Sequence, residues 1–128
     1  MIGSNDLGVD HCSRESTVAG TIFIVEEIKR RRPKAKIVIN SILPSADEDG
    51  YLDNSWQRIT SVNDQLECYS HVTEDVDFFD ATSIFLDKGE EGTVRNSRLR
   101  RGTIGSSVSA ARLLGEAILK KVLGMVDA

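Results

Sequence analysis

Histidine and cysteine are scarce in this chain: two of each, His11, His71, Cys12 and Cys68. The cysteines form no C-x-x-C pair and no metal-ligand spacing, which argues against zinc-ribbon and redox-motif readings. They are expected as reduced thiols, one of them half-buried, and nothing supports a disulfide between them. His11 and Cys12 lie near Asp6 and Asp10. Adjacent side chains in a loop rarely converge on one ion, so no metal is expected there. His71, between a helix end and a strand, is read as a surface residue near the negative end of a helix dipole.

Other absences narrow the field further. No run of about 18 apolar residues occurs, so no membrane span is expected. No signal peptide is visible either, and a cytoplasmic location is the default. No G-x-G-x-x-G is present. Gly3 to Gly8 gives G-x-x-x-x-G, but Val9 and Asp10 follow where a phosphate loop needs Lys and Ser or Thr. No nucleotide or other cofactor is expected. A G-x-S-x-G elbow is missing, and His11 and His71 complete no internal Ser-His-Asp triad. An excess of basic charge is lacking too. The net charge is −4, which argues against a nucleic-acid binder. The exception is Lys29-Arg30-Arg31-Arg32, read as a solvated helix terminus where cations suit the dipole.

What is present is an alternating series of elements in a chain of 128 residues, long enough for one domain with a core. Residues 1–3 read as the end of a strand, and 4–15 as a polar, turn-rich loop. Val18, Ile22, Val25 and Ile28 mark one face of a helix over 16–31, capped by Ser16 or Thr17 and closed by Pro33. Ile37, Val38, Ile39, Ile42 and Leu43 form an apolar run without alternation, as in strands buried on both faces of a parallel sheet, and Pro44 ends it. Residues 45–53 are acidic and read as a surface loop. Trp56, Ile59, Val62, Leu66 and Tyr69 predict a helix over 54–70. "VDFFDAT" (76–82) predicts a short strand, followed by an irregular stretch over 83–106. Val108, Ala111, Leu114, Ile118, Val122 and Met125 predict a last helix over 107–126, with Ser106 or Ser107 at its N-cap.

Strands alternating with helices imply βαβ units on a parallel sheet with helices on its faces. Sites in such sheets lie beyond the carboxyl ends of strands, which singles out 3–15, 44–53 and 81–106. Two full strands and a stub make a thin sheet. An exposed edge of this kind is a liability, so self-association along it is expected. Asn63, on the apolar side of its helix, is expected to bond a loop backbone. Asp80 is expected to serve as a turn or cap. A receiver-like domain is disfavoured because no acidic cluster with a matching Lys can be placed at the strand ends.

"GSNDLG" at 3–8 resembles the Gly-x-Asn-Asp block of the SGNH, or GDSL, ester hydrolases. The series continues in register. "VAGTIFIVEEIKRRRPKAKIVINSILP", "WQRITSVNDQL", "VDFFDAT" and "SSVSAARLLGEAI" are similar to that family's later helices and strands. Members related to the platelet-activating-factor acetylhydrolase α subunits are the most similar. The resemblance implies a three-layer α/β/α fold with a parallel, flavodoxin-like sheet, of which this sequence holds the second half and lacks the N-terminal part. It implies a small-molecule ester substrate and places Gly3 and Asn5 in an oxyanion hole, where a backbone N–H and a side-chain amide face a developing alkoxide. The family's nucleophilic Ser belongs to a block before Met1. Its Asp-x-x-His base pattern falls on "GTIGSS", with Gly102 at the Asp position and Gly105 at the His position. No histidine occurs from 72 to 128. A partial, catalytically incompetent hydrolase domain is therefore expected. The alternative is a non-catalytic α/β module that binds a ligand or another chain.

Overall fold

A computed structural model describes residues 12–46, 55–86, 102–103 and 108–126. Its contacts divide into two compact units, one of Met1–Ile42 with Gln57–Phe78 and one of Leu43–Trp56 with Phe79–Ala128.

The first unit begins with α1, Arg14–Arg31. Ser13 caps it, accepting a hydrogen bond from the Ser16 N–H at 3.0 Å. The helix thus starts two residues before the expected 16, and Ser13 takes the role assigned to Ser16 or Thr17. Ser16 and Thr17 fall inside the first turn, where the Thr17 hydroxyl donates to the Ser13 carbonyl at 3.0 Å. Val18 and Val25 are buried as the periodicity implies, but Ile28 is 40% exposed. The basic residues Lys29, Arg30 and Arg31 occupy the last turn, as expected of cations at the negative end of a helix. Glu27 pairs with Arg30 and Arg31 at 2.8 and 2.7 Å, and these guanidinium bonds hold its carboxyl below the usual range.

β1 is Ile37–Asn40. It pairs in parallel with β3, Val76–Phe79, so the two visible full strands do form a parallel sheet. Both strands are shorter than their sequence patterns. Between them runs α2, Trp56–His71, with Ile59, Val62 and Leu66 buried as its spacing requires. A short turn follows, in which Asp75 has a left-handed φ of 60°, a region Asp tolerates better than most side chains. That conformation presents the Asp75 carbonyl to the Ile37 N–H at 2.8 Å, which sets the start of β1 against β3.

In the second unit the core is Leu43, Ala81, Phe85 and Leu114, with Phe79, Ile84 and Ile118 packed against it. Phe85, fully buried, lies on a four-residue helix α3, Thr82–Phe85, in a stretch expected to be strand end and irregular chain. Leu114 and Ile118 come from α4, Val108–Val126, close to the expected helix. Val122, placed on its inner face by spacing, is 41% exposed. Ser45–Ala46, read as the start of a loop, forms β2. It pairs antiparallel with β4, Gly102–Thr103, in the register Ser45 with Thr103 and Ala46 with Gly102. Among the described residues no helix is long and apolar enough to cross a membrane.

Candidate functional site

The carboxyl ends of β1 and β3 are where this architecture would hold a site. After β1, the backbone stops pairing as strand at Asn40, yet Ser41, Ile42, Leu43 and Pro44 are all buried. Buried main-chain groups need partners, and a side chain supplies them at Ile42. Asn63 Oδ1 accepts from the Ile42 N–H at 2.7 Å, and Asn63 Nδ2 donates to the Ile42 carbonyl at 3.0 Å. An amide can do both because it carries an acceptor and donors on one planar group. Asn63 is 8% exposed, and both ends of its amide are committed to one residue. It is a structural clamp, as the sequence suggested. The same clamp explains why the apolar run 37–43 yields a four-residue strand: Ile42 bonds to a helix side chain in place of a ladder.

After β3 the closure is local. Asp80 Oδ1 accepts from the Thr82 N–H at 3.0 Å and from the Thr82 hydroxyl. The Ala81 N–H donates to the Phe79 carbonyl at 3.1 Å. The chain therefore turns at once into α3, and "VDFFDAT" is strand only through Phe79. Asp80 is a turn residue, as expected.

Several other polar groups in the first unit are similarly occupied. The Ser70 hydroxyl donates to the Glu67 carbonyl at 2.6 Å, and Arg58 donates to the Cys12 carbonyl. The Tyr69 hydroxyl bonds Glu26; partial burial, with the neighbouring carboxylate, pushes its pKa up. Cys12 is half-buried and Cys68 exposed, both as free thiols. His71 is exposed at the end of α2, where the sequence placed it. No group of three His, Cys, Asp or Glu that could hold a metal is found among the described residues.

Gly3, Asn5, Gly105, His11, Ser106 and Ser107 lie outside the described residues. Gly102 lies within them, paired with Ala46.

One feature had no signal in the spacing of motifs. A cleft of about 230 Å³ runs between α1 and β1, lined by Thr21, Ile24, Val25 and Ile28 on one side and Ile37 through Ile42 on the other, with Leu66. Asn40 lines it, and its Oδ1 is buried without a hydrogen-bond partner among the described residues. Only the non-alternating composition of 37–43, which demands cover on both sides of the strand, hinted at such an uncovered place.

No protein-family model and no curated protein sequence matches the chain. Solved structures do. A Streptococcus pneumonia protein named for platelet activating factor superimposes with a TM-score of 0.76 at 18% identity, over 94% of this chain and 56% of that one. A carbohydrate esterase family 3 protein from Talaromyces cellulolyticus superimposes with a TM-score of 0.62 at 16% identity, over 99% of this chain and 56% of that one. Both are SGNH-type hydrolases. The chain has the SGNH hydrolase fold. At these identities the likeness establishes fold, and the chain spans about half the length of each neighbour.

Proposed function

We propose that this chain is part of an SGNH-type ester hydrolase domain that keeps oxyanion-hole positions at Gly3 and Asn5 but cannot turn over an ester with its own residues. The observation that carries the reading is the pair of glycines at 102 and 105, where the family resemblance puts the acid and the base. A glycine has no side chain to take a proton, and general-base activation of a hydroxyl needs a group within hydrogen-bond reach. No other histidine follows position 71 in the sequence. The SGNH fold supports the hydrolase half of the proposal. The ester would be a small molecule, and no cofactor is called for.

The test is hydrolysis of short-chain nitrophenyl esters by the purified chain, with Asn5→Ala alongside. The expected result is a rate near that of buffer, the same in both proteins, and no serine labelling by a fluorophosphonate probe. Removing one oxyanion donor from a working site costs about 100- to 1,000-fold in kcat. Turnover that falls on this scale in Asn5→Ala would support the hydrolase assignment and overturn incompetence. A second reading, a non-catalytic interaction module, is favoured by the cleft along β1.

A further inference from the structure

We propose that the basic end of α1, with the turn after it, is a docking surface for an anionic lipid bilayer, which the chain meets from one side without crossing it. The inference goes beyond the hydrolase reading and does not depend on it.

The positive charge is concentrated in one place. Residues 28–46 carry six cations, Lys29, Arg30, Arg31, Arg32, Lys34 and Lys36, and no aspartate or glutamate. With a net charge of −4 for the whole chain, the remainder sums to −10. Asymmetry of this kind marks a local surface for a polyanion. The helix terminus accounts for only part of the cluster. Lys29, Arg30 and Arg31 lie in the last turn, and Arg32 is the C-cap. Lys34 and Lys36 follow Pro33, after the helix has ended, and the pull of the dipole is confined to the last turn.

The charges are not neutralised within the molecule. One carboxylate, Glu27, faces two guanidiniums, Arg30 and Arg31. Lys29 donates to the Glu74 carbonyl at 3.1 Å, a neutral partner that leaves its charge in place. Glu74 and Asp75, the acids of that turn, make no ion pair among the described residues. Arg32, Lys34 and Lys36 are exposed and make none among them either. Arg31, Arg32, Pro33, Lys34 and Ala35 line an open hollow of about 540 Å³, which sets three cations around space for a phosphate headgroup.

The residues that precede the cations favour a bilayer over a nucleic acid. Ala19, Gly20, Phe23 and Ile24 are all exposed, Phe23 to 71%. Phe23 stands seven residues before Arg30, and Ile24 seven before Arg31. Seven residues are close to two full turns, so the apolar and basic groups share one side of the helix. A helix that lies in the headgroup region has this make-up, with a ring at the acyl boundary and Lys and Arg on anionic headgroups. The four apolar residues give a base edge nothing to bond.

Sedimentation of the purified chain with vesicles tests the proposal, neutral phosphatidylcholine against the same lipid with about one-third phosphatidylserine. Binding is expected to the anionic vesicles alone. It should be lost as ionic strength rises from about 0.1 to 1 M and the Debye length falls from about 10 to 3 Å. A cation at an anionic surface is worth about five-fold in binding, so Arg32→Gln, Lys34→Gln and Lys36→Gln together should weaken it by about 100-fold. Phe23→Ser should weaken it too, with its salt dependence kept. All four positions are exposed, and far-UV circular dichroism checks that the variants fold like the parent chain. A duplex DNA oligonucleotide titrated in parallel separates the other polyanion. Binding to the duplex without binding to anionic vesicles would overturn the proposal. So would equal binding to neutral vesicles, no binding to any vesicle, or vesicle binding unchanged in the triple variant or in Phe23→Ser.

Discussion

Beyond β1 the backbone is closed by a side chain 21 residues away in sequence, whereas beyond β3 it is closed by one only two residues away. The long-range closure is an amide held on both ends in a buried place. The local closure is a carboxylate at a half-buried turn. The difference follows from what comes next. After β1 the chain stays buried through Pro44, so its peptide groups are held away from bulk water. After β3 it turns into α3, and a side chain at the helix entrance can bond the first free N–H groups. Buried backbone that is neither helix nor strand needs a partner brought from elsewhere. Backbone entering a helix can be served from next door.

The largest effect should come from breaking the long-range closure. Asn63→Ala leaves the Ile42 N–H and C=O without their partner, with Ile42 only 4% exposed. Each buried group left unsatisfied costs about 1–3 kcal/mol, so a loss of about 2–6 kcal/mol is expected in urea unfolding. Asn63→Asp should recover part of it, since a carboxylate still accepts from the Ile42 N–H but cannot donate to its carbonyl. A loss below about 1 kcal/mol in Asn63→Ala would show that the clamp is dispensable.

Asp80→Ala probes the local closure. It removes the bonds from the Thr82 N–H and hydroxyl. A typical hydrogen bond is worth about 0.5–1.5 kcal/mol net, and water at a half-buried turn replaces part of the loss. Asp80→Asn, which keeps an acceptor oxygen, should lie close to the parent chain. If Asp80→Ala proved as costly as Asn63→Ala, burial and sequence distance would not be what separates the two closures.

How much of this was legible follows the same division. The three long helices were readable because an apolar face recurs at helical spacing, as with Ile59, Val62 and Leu66. The order of strands and helices, and with it the fold, came through in the same way. The strand ends did not. The run 37–43 has strand composition throughout, and the pairing of Ile42 with Asn63 takes that residue out of the ladder that ends at Asn40. That pairing joins positions no local pattern connects, although Asn63 itself stood out as a polar residue on an apolar face. Asp80 was legible as a turn residue, but not that it opens a helix carrying Phe85, because four residues are too few to show a period. At the candidate site, the sequence alone speaks for Gly3, Asn5 and Gly105, while the orphaned Asn40 oxygen is visible only in three dimensions.

The exposed pairing at the end of α1 extends the comparison to its weakest case. Glu27 bonds Arg30 and Arg31, three and four residues on, with both arginines about 70% exposed. Its pKa is lowered below 4.5, first by Arg30 and then by Arg31. A carboxylate with a depressed folded value contributes stability that is present above its ordinary value. That contribution is lost as pH falls through the lowered one. The difference in stability between the parent chain and Glu27→Gln should therefore be small at neutral pH, shrink further with added salt, and vanish as the solution is taken below the carboxylate range. Thermal unfolding of the two proteins across that range measures it. A difference that survives in acid would mean that Glu27 acts through packing of its stem, not through its charge.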